Sequence, residues 1–314
     1  MPTPEKKHIV GSKPNVKPSS KTAANEKEPH EYWTPERRAA AIPVPLPKEG
    51  KGGEKPAVTE RAEPVGEPGH VAPGRPKGEQ ERKGGRGEGS ADSGGGSVAN
   101  PKLYPYSTCG KLFFTQAGGN YSGSASVVAP NILLTAGHCV HNNGSWSTNV
   151  AFYPSYPLTG VQFSYSYEAA WTAWVNNGTV AYDYGMIWID NDPGHKVGWL
   201  GMLWNASTAG RIWDAVGYPA TPNPPFNGNA MCQAIGTYSP GGPFPGQIGL
   251  TNDNMEHGSS GGPWITDYNG SPREYANGLQ SRHVKDGDFV EYGPYFTADV
   301  KGLYDWISNP ANRH

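Results

Sequence analysis

The sequence predicts an all-β fold for residues 101–314. Three observations lead there: short runs rich in Val, Ile and aromatic residues recur at intervals of about a dozen residues, Gly, Asn and Pro break them, and only one stretch has helical spacing. Taken in order, "KLFFTQ", "SASVVA", "NILLTAG", "VQFSYSYEAAWTAWV", "YGMIWID" and "RIWDAVGY" each read as a strand of a barrel or sandwich. The exception is "TADVKGLYDWISN", where Val300, Leu303, Tyr304 and Ile307 fall on one helical face behind a Thr297 cap, so a helix is expected at the end of the chain. No internal repeat is evident.

Residues 1–100 read differently. The chain has 43 glycines and 31 prolines, and the leading region is written largely in Lys, Glu, Pro and Gly, with no cysteine and a single tryptophan, Trp33. Such a composition buries too little apolar surface to offset the entropy of ordering, so residues 1–100 are expected to be a disordered, propeptide-like or linker segment, with one folded domain over 101–314.

Charge and cysteines narrow the function classes. Residues 1–100 carry 17 basic and 14 acidic side chains, the remainder 9 and 14. A mildly acidic folded region offers no broad basic face, so nucleic acid is not an expected partner. No apolar run of about 18 residues predicts a membrane-spanning helix, and "MPTPEKKHIVGSKP" lacks the apolar core of a signal peptide, which leaves an export route unread. Cys109, Cys139 and Cys232 are an odd number and do not fix the redox compartment.

Three polar side chains carry the chemistry. "NILLTAGHCV" sets His138 at the end of an apolar strand, "AYDYGMIWID" sets Asp183 just before one, and "EHGSSGGPW" holds two adjacent serines in a glycine-rich turn. A serine hydroxyl becomes a nucleophile at neutral pH when an imidazole takes its proton and a carboxylate holds that imidazole in the right tautomer. The turn must also aim backbone N–H groups at the oxyanion formed on attack. Gly258 permits that geometry, which selects Ser260 as nucleophile and Ser259 as its structural neighbour, with the N–H groups of Gly258 and Ser260 as the oxyanion donors. His138, Cys139 and His141 could suggest a metal cluster, but a fourth ligand is missing and the spacing fits no common zinc site, so neither metal nor other cofactor is expected. Asn-x-Ser/Thr matches at Asn143 and Asn177 are no more than the composition gives by chance.

"TAGHC", "DYGMI" and "GSSGGP", in that order, resemble the signature segments of the trypsin/chymotrypsin superfamily of serine peptidases, and its microbial secreted, glutamyl-endopeptidase-like branch in particular. "EYWTPERRAAA" also resembles a propeptide region of some actinobacterial members. The resemblance implies two packed six-stranded antiparallel barrels with the site between them, His138 and Asp183 from the first and Ser260 from the second. It implies a secreted, monomeric endopeptidase acting on protein or peptide substrates. A catalytically inactive binding protein on the same fold, and an esterase with the same triad, are the alternatives.

Departures from the family pattern matter as much. Ser259 stands where many members carry an Asp that pairs with a new N-terminus, so that activation switch is not expected. The usual cysteine before the histidine is absent from "YSGSASVV", and the resemblance then offers Cys109 as the substitute disulfide partner of Cys139, against the alternative of two separate thiols. By position in the family, Asn254 would form the floor of the specificity pocket, Gln280 would replace a histidine of glutamate-specific members, and Ser281 would pair its carbonyl with the substrate backbone. His283 reads as a surface loop residue. No preferred cleavage residue follows.

Overall fold

Strand Cys109–Gln116 turns into strand Gly119–Ala129 through Ala117 and Gly118, both at positive φ, the two-residue turn whose twist suits an antiparallel hairpin. The structure, a computed structural model, describes residues 8–13, 32–46, 64, 66–76, 94–160, 162–240, 245–283 and 289–313. The hairpin belongs to a closed barrel. Its strands follow in the order Phe163–Trp171, Thr148–Pro154, Cys109–Gln116, Gly119–Ala129, Ile132–Thr135 and Gly185–Ile189, and the last pairs back to the first, every pairing being antiparallel.

"KLFFTQ" shows why the sequence reads as an unbroken apolar run. Successive side chains of a strand point to opposite faces. Leu112 and Phe114 enter the main core with Val127, Leu133 and Met186, whereas Phe113 joins a separate cluster with Trp33, Ala151 and Tyr153. The strand is covered on both sides, so alternation disappears.

The second sheet runs Val290–Pro294, Gln247–Thr251, Cys232–Ser239, Ile212–Gly217, Pro263–Tyr268, Ser271–Leu279 and Gly201–Trp204. A bridge between Arg282 and Tyr292 links the edge strand Val290–Pro294 back to the segment just past Ser271–Leu279, and Trp213, Ala234, Ile248, Leu250 and Trp264 pack inside. Helix Ala298–Ser308 follows as expected: the Thr297 hydroxyl accepts from the Asp299 N–H, and Val300, Leu303 and Ile307 are buried. No helix among the described residues is long and apolar enough to cross a membrane.

Two expectations need correction. The leading region is not wholly disordered: Ile9–Ser12 pairs with Phe163–Trp171, Ile42–Pro43 with Gly119–Ala129, Gly69–Val71 with Gly201–Trp204, and Gly96–Ser97 with Cys232–Ser239. Composition misleads here because these segments need no core of their own. They complete sheet edges and apolar clusters that the domain supplies, with Trp33 and Val44 fully buried against it. The rest of residues 1–100 lies outside the described residues, and with it most of the expected linker.

The second correction concerns the cysteines. Cys109, Cys139 and Cys232 are all buried free thiols. Cys109 pairs across the hairpin with Ser126, whereas Cys139 packs at Gly123, three positions along the same strand. That offset is about 10 Å at strand rise, beyond the reach of a disulfide. The residue facing Cys139 is therefore a glycine: a Cβ on Gly123 would lie 2.9 Å from the Cys139 Sγ. Gly123→Cys is expected to form a disulfide with Cys139 on oxidation and to raise stability by about 3 kcal/mol. Non-reducing mass mapping and melting curves with and without reductant check this; two free thiols at these positions in the oxidised variant would refute it.

Candidate active site

Antiparallel pairing brings His138 and Asp183 together. Thr135 stands opposite Gly185 in the ladder between Ile132–Thr135 and Gly185–Ile189, so the chain leaving one strand meets the chain entering the other. His138 sits in the short helix Gly137–Val140 just past the first strand, and Asp183 lies two residues before the second. Gly137 keeps this junction close-packed: a Cβ there would lie 3.0 Å from both the Asp183 carboxylate and the Trp174 ring and would press on them.

Both side chains are fully buried, and the carboxylate is saturated with donors. Asp183 Oδ1 accepts from the His138 backbone N–H at 2.8 Å, and Oδ2 lies 2.9 Å from His138 Nδ1. The Ser281 hydroxyl, from the other sheet, donates to Oδ2 at 2.6 Å. Burial alone would raise the Asp183 carboxyl, but the imidazole, the Arg282 charge and these donors outweigh it and hold its pKa below the ordinary value. Burial likewise works against a charged His138, and the Asp183 carboxylate reverses the sign, raising the imidazole above its usual range. Nδ1 is engaged by the carboxylate, which leaves Nε2 as the ring atom free to exchange a proton. Nε2 has no hydrogen-bond partner among the described residues.

Ser260 arrives from the second sheet on a turn clamped from both sides. Ser124 N–H, in the first barrel, donates to Ser260 O at 2.8 Å, and Gln280 accepts from Gly261 N–H and donates to Gly262 O. The Ser124 hydroxyl donates to Gly258 O at 2.9 Å and accepts from Tyr218 N–H. Gly261 has φ +87°, and a Cβ there would lie 2.2 Å from Thr135 Oγ1, so no other residue fits. Gly258 has φ +100°. The His257 carbonyl accepts from Ala220 N–H at 2.7 Å, and because the peptide is trans the Gly258 N–H points the opposite way. Neither the Gly258 nor the Ser260 N–H is engaged among the described residues. Ser259, by contrast, spends its hydroxyl on the Met255 and Glu256 carbonyls, both at 2.7 Å. Ser260 makes no side-chain hydrogen bond to His138 among the described residues, and beside them Cys139 Sγ lies 3.8 Å from Ser260 O.

A pocket beside Ser260 is lined by Glu256, His257, Ser259, Ser281, Arg282, His283 and Glu291, together with Leu46 from the leading region. Asn254, expected at its floor, is not in the lining: its amide oxygen accepts from Gly95 N–H at 2.7 Å and so fastens strand Gly96–Ser97 instead. Gln280 lies behind the pocket, fully buried, with its amide donating to Asp253 Oδ2 at 2.9 Å. Asp253 is raised to about 7 by burial and by the nearby Glu291 charge. Ser281 does line the pocket, but its hydroxyl serves Asp183, a link the sequence reading missed; only the register of two distant strands reveals it.

His283 is not the surface residue expected. Its side chain is 8% exposed and its Nε2 lies 2.8 Å from the Glu291 carboxylate. Burial lowers its pKa, but the nearby Glu291 charge more than reverses this and raises it to about 9. Among the described residues no three His, Cys, Asp or Glu side chains form a metal-ligating group.

No protein-family model matches the chain. Protease Anisep from Arthrobacter nicotinovorans is similar at 30% identity, with 63% of this chain and 94% of that one covered and a TM-score of 0.56. The thermostable serine protease AL20 from an extremophilic microorganism is similar at 28% identity, covering 64% and 97%, with a TM-score of 0.57. Two curated relatives are each 28% identical: an extracellular metalloprotease of Bacillus subtilis and a glutamyl endopeptidase of Bacillus licheniformis. These matches take in 39% of this chain and only 42% and 39% of the relatives' own lengths. Given a closed antiparallel barrel paired with a second sheet, and likeness to Anisep over nearly all of its length, the chain belongs to the chymotrypsin-like family of serine proteases.

Proposed function

We propose that the protein is a secreted serine endopeptidase that cleaves peptide bonds through an acyl-enzyme. The observation that carries this reading is the buried Asp183–His138 pair, with His138 Nε2 unpartnered, next to a turn where the Ser260 hydroxyl and the N–H groups of Gly258 and Ser260 make no hydrogen bond among the described residues. Ser260 Oγ attacks the substrate carbonyl carbon while its proton passes to His138 Nε2. The carbonyl oxygen becomes an oxyanion and accepts from the Gly258 and Ser260 N–H groups, which need not reorient as charge develops. The C–N bond then breaks, the leaving amine takes the proton from His138, and the acyl group stays on Ser260. Water attacks the ester by the same route, giving its proton to His138, and Ser260 leaves with a proton returned from the ring.

Asp183 supports both halves of that cycle. It fixes the tautomer with the proton on Nδ1, and it stabilises the imidazolium that forms twice per turnover. The Ser281 hydroxyl keeps the carboxylate aimed, acting as a positioning group rather than a reacting one. The absence of a Ser260–His138 hydrogen bond agrees with the looseness common in such sites before substrate closes them. Export fits the similarity to an extracellular protease of Bacillus subtilis.

Three outcomes test the reading. Ser260→Ala is expected to abolish both peptide hydrolysis and labelling by a fluorophosphonate, measured by product release and by mass shift. Ser259→Ala should retain both, with stability lowered by about 1 kcal/mol for lost hydrogen bonds; loss of labelling in this variant alone would reverse the assignment. The base must be neutral to act, and Asp183 raises the His138 pKa, so kcat/KM should fall as pH drops, with its acid limb centred above the ordinary imidazole value of about 6.5. A limb centred in the carboxylate range, or a flat profile, would argue against a histidine base.

A further inference from the structure

The leading region reaches the proposed active site. Trp33 is 1% exposed and packs against Phe113 at 5.3 Å between ring centroids, its indole N–H donating to Asn149 O. Arg38 donates to Trp33 O at 2.6 Å and to the Tyr153 hydroxyl at 3.1 Å, and the Tyr32 hydroxyl donates to Asn120 Oδ1 at 2.8 Å. The helix Pro35–Ala40, capped by Thr34, then hands the chain to an extended segment. Ile42 and Pro43 lie beside Tyr121 and Ser122, Val44 N–H donates to Ser122 O at 3.0 Å, and Asn142 Nδ2 donates to Pro45 O at 3.3 Å. Leu46 follows, in the lining of the pocket that contains Ser260.

This path covers the ground a substrate needs. The strand edge at Tyr121 and Ser122 leads within two residues to Ser124, whose N–H holds the Ser260 carbonyl. A peptide bound in extended form pairs its backbone with such an edge and places a side chain in the adjoining pocket. Both positions are filled, and with the segment in place His138 is fully buried and Ser260 only 5% exposed. The segment suits the task. Pro43 and Pro45 restrict the backbone and leave little entropy to lose on docking, and the Trp33 anchor keeps the blocking residues at high local concentration.

We infer that residues 32–46 are a built-in competitive inhibitor, anchored by Trp33 and blocking groove and pocket with Ile42–Leu46, and that peptides enter only when this segment is dislodged. The inference rests on the serine-peptidase reading above. It assigns Trp33 an inhibitory role, and Leu46 the role of pocket plug.

The test compares the full chain with its Trp33→Ala and Leu46→Gly variants. Trp33→Ala removes the anchor; Leu46→Gly removes only a half-buried side chain at the pocket and guards against a folding defect in the first. Fluorophosphonate labelling rates and hydrolysis of a chromogenic peptide are the readouts, with Ser260→Ala as blank. Both variants are expected to label about tenfold faster than the unmodified chain or more, since a tethered competitor is lost. A synthetic peptide of residues 31–47 should slow them again by raising KM for the chromogenic peptide with kcat unchanged. Equal labelling rates in all three proteins, or no effect of the added peptide on either variant, would overturn the inhibitor and leave the peptidase reading standing. Failure of every one of the three proteins to label above the blank would overturn both.

Discussion

A buried carboxylate governs this structure. Asp183 is fully enclosed, and an ionised group in that position is tolerable only if donors surround it. They come from both halves of the molecule, the His138 backbone and ring from the first barrel and the Ser281 hydroxyl from the second sheet. The same bonds that make the charge tolerable orient the imidazole and tie the two halves together at the site. Stability and chemistry are thus imposed by a single electrostatic demand.

The nucleophile turn meets a steric demand in the same place. Ser124 bridges the halves with its N–H on Ser260 O and its hydroxyl on Gly258 O, and Thr135 in turn donates to Ser124 O. The turn is pressed so closely on the first barrel that Gly261 admits no side chain. With its carbonyls committed outward, the turn leaves the Gly258 and Ser260 N–H groups without a partner among the described residues, the arrangement that the proposed oxyanion site requires.

The leading region extends the same interface. It adds strands to both sheets, covers the outer face of Phe113 with Trp33, and carries Leu46 to the rim of a pocket whose own charges, His283 and Glu291, are paired with each other. Asn254 takes part from the other side by holding Gly95. The described parts of this region, poor in apolar residues of their own, rest on surface the domain has already built.

Much of the fold was legible because its causes are local. Strand runs broken by turn residues, the Thr297 cap with its buried stripe, and the positive-φ demand at Gly258 each depend on a few neighbouring residues, and the three sequence segments bearing His138, Asp183 and Ser260 could be read the same way. What could not be read depended on packing between distant residues. The thiols of Cys109 and Cys139 are separated by strand offset, Asn254 turns to Gly95 rather than the pocket, His283 is buried on Glu291, and Ser281 reaches Asp183 across the sheets. Composition also suggested disorder where borrowed surface permits order. The sequence by itself determined which residues are candidates by chemistry and local backbone; only the tertiary structure decided which of them lie together, because register and burial are properties of paired strands and not of any one segment.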